Sequence, residues 1–332
     1  MEKDNNKIFR RKILSGMRPT GPLHLGHLFG ALFNWVSLQD EYQCFYMVAD
    51  WHAFLSEYEN PGLIRKYVRE CAADWLSAGL DPARSTIFVQ SDVKEHAELH
   101  LLLSSLTPLP WLERCPTYKE QLREIRGRDL LTYGFLGYPV LQAADIMIYR
   151  ATAVPVGIDQ VPHLELTREI ARRFNNLYAP VFPEPRPLFT ASSRLPGLDN
   201  RKMSKSYDNF IALADPPEVI RNKVGGMITD TRRIRLRDPG HPEDCTVFAY
   251  HRLLNAGMLP EVEDWCRNAK RGCTECKNCL AGALIRFLEP LQEQRNYWLR
   301  DHRIEDVLAE GAARARSAAA ETMELVRAAI KF

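Results

Sequence analysis

Along the first two thirds of the chain, short unbroken apolar runs alternate with longer stretches of helical period. Ile13-Leu14 and the residues before them form the first such run, and residues 43–49 and 85–90 read as buried strands. Residues 65–80 and 164–175 carry apolar side chains at helical spacing. Gly16, Pro19 and Gly21 turn the first run into a tight loop, and residues 24–32 then read as the start of a helix. This alternation predicts a parallel sheet with helices on both faces, with any nucleotide at the carboxyl ends of the strands. A proline-rich passage, 180–187, leads to the next segment. After Asp215-Pro216-Pro217 the strand signal fades, and residues 247–254, 280–298 and 304–330 read as helices. Residues 312–320 are rich in good helix formers, and Gly311 is the weak point of the last helix. There is no internal repeat and no low-complexity tail.

Composition narrows the class without choosing the chemistry. The 332 residues are 45% apolar and 26% charged, ordinary for a globular protein of two domains. No run approaches the length of a membrane span, and Met1-Glu2-Lys3-Asp4 is followed by no apolar run of signal type, so a cytoplasmic location is expected. The net charge is +2, so nucleic-acid binding cannot be argued from global charge. Arg10-Arg11-Lys12 and the basic stretch at residues 232–237 could give local phosphate contacts, although such runs are more often solvated faces.

Two segments carry chemistry. The first is His24-Leu25-Gly26-His27, close behind Ser15-Gly16-Met17-Arg18-Pro19-Thr20-Gly21. Histidines three apart at a helix start can donate to phosphate oxygens beside the positive end of the helix dipole. Gly26 lets backbone approach a bound base or ribose. The second is Lys202-Met203-Ser204-Lys205-Ser206, a loop of small polar residues with two ammonium groups. Attack on the α-phosphate of ATP expels pyrophosphate, and lysines placed there stabilise the growing negative charge. Mg²⁺ is expected on the phosphates. Alone, the first segment could be a helix cap and the second a solvated loop. Together, in this order, they describe a site that takes an adenylyl group from ATP.

On these motifs the chain resembles the class I aminoacyl-tRNA synthetases. Residues 15–32, 48–53, 137–149, 154–175 and 201–213 are similar to the bacterial tryptophanyl-tRNA synthetase family. The resemblance implies a Rossmann-like catalytic domain over residues 1–213, with an inserted dimer-interface segment at about 95–150. It implies an all-α anticodon-binding domain over 214–332, a homodimer, and tRNA(Trp), L-tryptophan and ATP as partners. His24, His27, Lys202 and Lys205 would be catalytic. Gly16, Arg18, Pro19, Thr20, Gly26, His27, Gly157, Ile158 and Asp159 would contact ATP, with Lys202, Met203, Ser204, Lys205 and Ser206 from the lysine loop. Many members have Glu where this chain has Ile158, a position expected to act through its backbone.

The amino acid is read from an apolar helix containing a single carboxylate, Asp145. Indole has one polar atom, and it only donates, so a buried carboxylate suits tryptophan; phenylalanine would leave that acceptor unpaired. Tyr138, Gln142 and Asp145 also match a spacing of tyrosyl enzymes, and many tryptophanyl enzymes have Met at Gln142. Residues 8–18 lack the tyrosine that usually completes a phenol site. Tyr138, Gln142 and Gln160 would hold the α-amino group or the indole rim, with Val154 and Val156 beside them. Tyrosyl-tRNA synthetase, a small-molecule nucleotidyltransferase sharing the His-x-Gly-His loop, and a non-catalytic RNA-binding relative are the alternatives. The last would be expected to have eroded motifs.

Of eight cysteines, Cys44, Cys71 and Cys115 stand alone and read as buried thiols. Cys245, Cys266, Cys273, Cys276 and Cys279 cluster, and in a cytosolic chain metal is the leading reading. Four thiolates suit either Zn²⁺ or a [4Fe-4S] cluster. Some tryptophanyl enzymes carry a four-iron cluster, and Cys245-x20-Cys266-x6-Cys273-x2-Cys276 resembles their ligand order, with Cys279 a possible substitute. Arg267, Lys270, Arg271 and Lys277 would be presented to an anticodon by a metal-tied loop.

Overall fold

The computed structural model describes residues 11–116, 118, 119, 122, 130–189 and 195–332. Arg10 of the first basic stretch and part of the 95–150 segment lie outside them. Strand β1 (Lys12–Met17) leads through a loop to α1 (Leu25–His27), a π-helical turn (Leu28–Leu32) and α2 (Phe33–Leu38). β2 (Gln43–Val48), α3 (Asp50–Glu57), α4 (Ile64–Ser77) and β3 (Ser85–Val89) follow. Next come α5 (Glu95–Ser104), α6 (Leu109–Glu113), α7 (Tyr133–Ile148), β4 (Ala153–Val156), α8 (Val161–Leu177) and β5 (Arg186–Phe189). The remaining helices are α9 (Pro217–Gly225), α10 (Thr246–Leu254), α11 (Leu259–Arg267), α12 (Cys273–Trp298) and α13 (Arg303–Ile330).

The strands form one parallel sheet in the order β3-β2-β1-β4-β5, with Ile13 opposite both Cys44 and Ala153. The predicted doubly covered sheet is therefore present. β3 is buried at every position and β2 at all but its first, as expected of strands covered on both faces. The strand order reverses between β1 and β4, so their carboxyl ends open a crevice between them.

Two compact units divide the chain differently from a boundary at 213/214. One holds the described parts of Met1–Thr20, Asn34–Ala191 and Asp301–Phe332; the other holds those of Gly21–Phe33 and Ser192–Arg300. In the first unit, Leu14, Phe45, Met47 and Phe88 pack with Ile146, Ile170 and Phe174. Helix α13 joins that core through Ala312, Ala315, Ala319, Met323 and Val326. Its small-residue stripe lets it lie close to β3: a side chain at Gly311 would collide with the Ile87 carbonyl. Gly311, the position that weakens the helix signal, is thus also a contact surface inside the helix, and α13 belongs with the sheet rather than with the preceding helices.

The second unit is helical. Leu280, Leu284 and Leu288 of α12 are fully buried, as are Ile220 and Val224 of α9. Phe287 stacks on Phe29 with ring centroids 5.6 Å apart. Gln292 donates to the carbonyls of Leu213 and Asp215, both at 2.9 Å, tying α12 to the chain after the lysine loop.

Candidate active site

The sheet unit holds a saturated polar network at the carboxyl ends of β2 and β3. Asp145, on α7, is 1% exposed, so it is neither on a solvent face nor a surface cap. Its Oδ2 accepts from His52 Nε2 at 2.8 Å, and its Oδ1 accepts from His96 Nδ1 at 2.7 Å. Gln90 Nε2 reaches both oxygens, at 2.9 and 3.0 Å. Burial alone would raise this carboxyl's pKa, yet hydrogen bonds and charge from His52 and His96 hold it well below the ordinary carboxylate range. The acceptor expected to stand unpaired with phenylalanine already has three donors of its own. Because Gln90 spans both oxygens, the roughly four lone-pair sites of the carboxylate receive four hydrogen bonds.

The other expected pocket residues are in the same unit. Tyr138 is buried, its hydroxyl 3.2 Å from Nε2 of His163, and His163 Nδ1 lies 3.6 Å from Cys115 Sγ. Burial, then the charge of His52, lowers the His163 pKa to about 4, so that ring is neutral. Val154 is buried, while Val156 and Gln142 are partly so. Gln160 donates to Asp159 Oδ2 at 3.1 Å. Ile158 is 70% exposed beside Gly157. Gly16 and Arg18 are exposed at the end of β1, Pro19 is buried and Thr20 partly so.

In the helical unit the two motifs meet. His24 caps α1, and its backbone N–H donates to Nδ1 of His27 at 3.2 Å, so the proton of a neutral His27 sits on Nε2. The rings lie 3.8 Å apart. Burial, then the Lys205 charge, lowers the His24 pKa to about 4. Burial, His24 and Lys205 together hold His27 well below the usual imidazole range. Both are therefore neutral donors rather than cations. His24 Nδ1 is buried without a hydrogen-bond partner among the described residues.

Gly26 has a role the sequence did not suggest. Its N–H donates to Met203 Sδ at 3.3 Å, and a Cβ there would sit 3.0 Å from the His24 ring and 3.2 Å from that sulfur. The missing side chain lets the helix start meet the lysine loop. Lys205 Nζ donates to the Gly21 carbonyl at 3.0 Å; Lys202 is exposed and Ser204 partly buried. The Ser206 side chain lies outside the described residues. Asn209, missed in the sequence, braces the loop: it accepts from Ser204 N at 2.8 Å and donates to Lys202 O at 3.1 Å and Asp199 at 2.7 Å.

Four of the clustered cysteines, Cys245, Cys266, Cys273 and Cys276, line one cavity; Cys279 is not among its lining residues. Cys279 instead lies 3.7 Å from the Asn255 amide. Cys273 opens helix α12, which also carries Cys276 and Cys279, and Cys266 lies on α11, so four of the five thiols lie on helices rather than on a loop. Burial and the neighbouring thiols push Cys276 up to about 12. No group of three His, Cys, Asp or Glu among the described residues is disposed to hold a single metal ion. Arg271 lies over the Trp265 ring, Arg267 pairs with Glu243 and Glu263, and Lys270 with Asp264. Lys277 donates to the Gly225 carbonyl. Two of the four cations expected to face an anticodon thus already have acidic partners.

The missed donors, His52, Gln90 and His96, come from segments directly after β2 and β3. The position of Gln90 at a strand's carboxyl end was the available signal.

A family model described as tRNA synthetases class I (W and Y) matches residues 8–289. A tryptophan–tRNA ligase of Thermotoga maritima is 51% identical, over 97% of this chain and 99% of its own. One of Aquifex aeolicus is 43% identical, over 97% and 100%. The crystal structure of tryptophanyl-tRNA synthetase from Campylobacter jejuni, complexed with ADP and tryptophan, matches with a TM-score of 0.89 at 32% identity, over 97% of this chain and 100% of that one. With the matched family model spanning most of its length, the chain belongs to the class I tRNA synthetases of the tryptophan and tyrosine group.

Proposed function

We infer that this chain is a tryptophan–tRNA ligase: it activates L-tryptophan with ATP, releasing pyrophosphate, and transfers the aminoacyl group to tRNA(Trp). Asp145 carries the reading within the family: it is an ionised carboxylate buried in an apolar helix and hydrogen-bonded on both oxygens. The indole N–H donates to this carboxylate by displacing one of the two Gln90 contacts. Tyr138, Gln142, Gln160, Val154 and Val156 surround the rest of the amino acid.

In the first step the tryptophan carboxylate oxygen bonds to the α-phosphorus of ATP, and the bond to the bridging oxygen breaks. Pyrophosphate leaves with the electron pair. His24 and His27 donate as neutral imidazoles, and Lys202 and Lys205 stabilise the departing charge. The chain between Gly16 and Thr20, with Gly26, Gly157, Ile158, Asp159 and the Met203, Ser204 and Ser206 positions, holds the nucleotide with its Mg²⁺. In the second step a hydroxyl of the terminal tRNA ribose attacks the activated carbonyl and AMP leaves. No covalent enzyme intermediate is needed; rate comes from positioning and charge. Pyrophosphate exchange tests the reading: tryptophan should support it and tyrosine should not. Exchange with tyrosine alone would overturn it.

The residues 214–300 serve as the anticodon-binding part, and their cysteines hold a [4Fe-4S] cluster through Cys245, Cys266, Cys273 and Cys276. The donor set supports this fit. Four soft thiols line one cavity, and burial beside the other thiols makes Cys266 and Cys276 resist ionising unless a cation compensates their charge. The cluster would tie the start of α12 to α10 and α11. Iron and sulfide near four each per chain, with the charge-transfer absorbance of a brown protein, are the expected result. Stoichiometric zinc would replace that assignment. A homodimer is supported by exposed Leu101, Leu109, Leu131 and Tyr133 in the 95–150 segment. Its site of action is the cytoplasm.

A further inference from the structure

Behind Asp145 lies a hydrogen-bonded chain that the reaction does not itself use. His96 is fully buried, with Nδ1 on Asp145 and Nε2 2.7 Å from the Tyr149 hydroxyl. Tyr149 is also fully buried, stacked on Phe45 with centroids 4.4 Å apart and edge-on to Phe88. An ionised carboxylate only accepts, so Nδ1 of His96 carries the proton. The second ring nitrogen is engaged by the Tyr149 hydroxyl, so both nitrogens of His96 have partners inside the core. His52, by contrast, reaches the opposite oxygen from a side chain 10% exposed.

We propose that His96, locked by Tyr149, is a positioning residue that sets the plane of Asp145 and thereby the preference for a ring bearing an N–H. This rests on the reading of Asp145 as the indole acceptor. The geometry makes His96 the fixed donor. Its two nitrogens are both committed inside the core, whereas the His52 donor stands at the more open edge of the network. Without His96 the carboxylate loses a charge-stabilising donor and the restraint on its rotation. An indole N–H then gains less from it, while a ring with no donor is unaffected.

The test compares kcat/KM in pyrophosphate exchange for tryptophan and for its benzothiophene isostere, in which sulfur replaces the N–H. His96→Leu should shrink the preference for tryptophan about tenfold, mainly through tryptophan KM, the size expected when a buried charged acceptor is loosened. His96→Asn, whose amide can still donate to Asp145, should keep most of it. Tyr149→Phe, which removes only the hydroxyl, should shrink it about threefold, the lesser loss of one hydrogen bond; it decides the matter if His96→Leu does not fold. Equal losses on both substrates in His96→Leu and Tyr149→Phe would mean a merely structural role and overturn the proposal. Asp145→Ala separates the two readings. If it abolishes the preference while the His96 and Tyr149 variants keep it, only the positioning role fails. If Asp145→Ala itself keeps the preference, the acceptor reading fails.

Discussion

The two halves of the chemistry are built in opposite ways. Around Asp145 nearly every polar group is paired: His52, His96 and Gln90 on the carboxylate, Tyr149 on His96, Tyr138 beside His163. Around His24 and His27 the polar groups are left short. One imidazole nitrogen is buried without a partner among the described residues, both rings are neutral, and Gly26 meets the lysine loop through a thioether. A saturated network discriminates, because a ligand must offer a donor as good as the one it displaces. An undersatisfied cluster waits for an anion rich in acceptors. Selection and phosphate chemistry therefore ask for different degrees of preorganised pairing.

The largest expected effect falls on the undersatisfied side. His27→Ala removes a donor meant for the phosphates, and kcat for tryptophan-dependent pyrophosphate exchange should fall about 10²–10³-fold, as for other oxyanion donors. Little change would mean that the histidine pair only caps the helix. Asn209→Ala should have a smaller effect, about tenfold in kcat, because it leaves Lys202 and Lys205 present and frees the loop that carries them. Its tryptophan KM should stay close to that of the parent; a KM effect alone would place Asn209 with the amino-acid pocket.

The smallest effect is on stability against pH, and it links both regions. His24 and His163 are each lowered from 6.5 to about 4 by burial, so between those values the unfolded chain binds protons that the folded rings refuse. Their contribution is complete above pH 6.5 and is lost as the pH falls towards 4. Urea midpoints should decline over that window, and His24→Asn or His163→Gln should flatten the decline. A midpoint constant from pH 7 to 4.5 would contradict the neutral rings.

Much of this was legible in the sequence, for physical reasons. Unbroken apolar runs at residues 43–49 and 85–90 could only be strands covered on both faces, and they are. The motif at 24–27 and the lysine loop announced themselves by residue type, and Gly26 with Met203 brings them together. What was not legible is partnership. The alanine stripe of α13 reads as a good helix wherever it packs, and nothing local says that its face meets β3. Cys273, Cys276 and Cys279 read as part of a metal-tied loop, yet they lie in the first turns of α12, which Gly272 caps. His96 is a single histidine on a helix, a pattern shared by many satisfied core histidines; only Asp145 and Tyr149 in place beside it give it a role.

The contrast between a pairing pocket and a waiting phosphate site is tested most directly by steady-state pyrophosphate exchange with Asp145→Ala and Lys205→Ala measured side by side. The account predicts that Asp145→Ala raises tryptophan KM with kcat within a few-fold of the parent, roughly the pattern of lost ground-state binding. Lys205→Ala should lower kcat by about 10² while tryptophan KM holds, the pattern of lost transition-state stabilisation. The same split in both variants, or the reverse assignment, would contradict it.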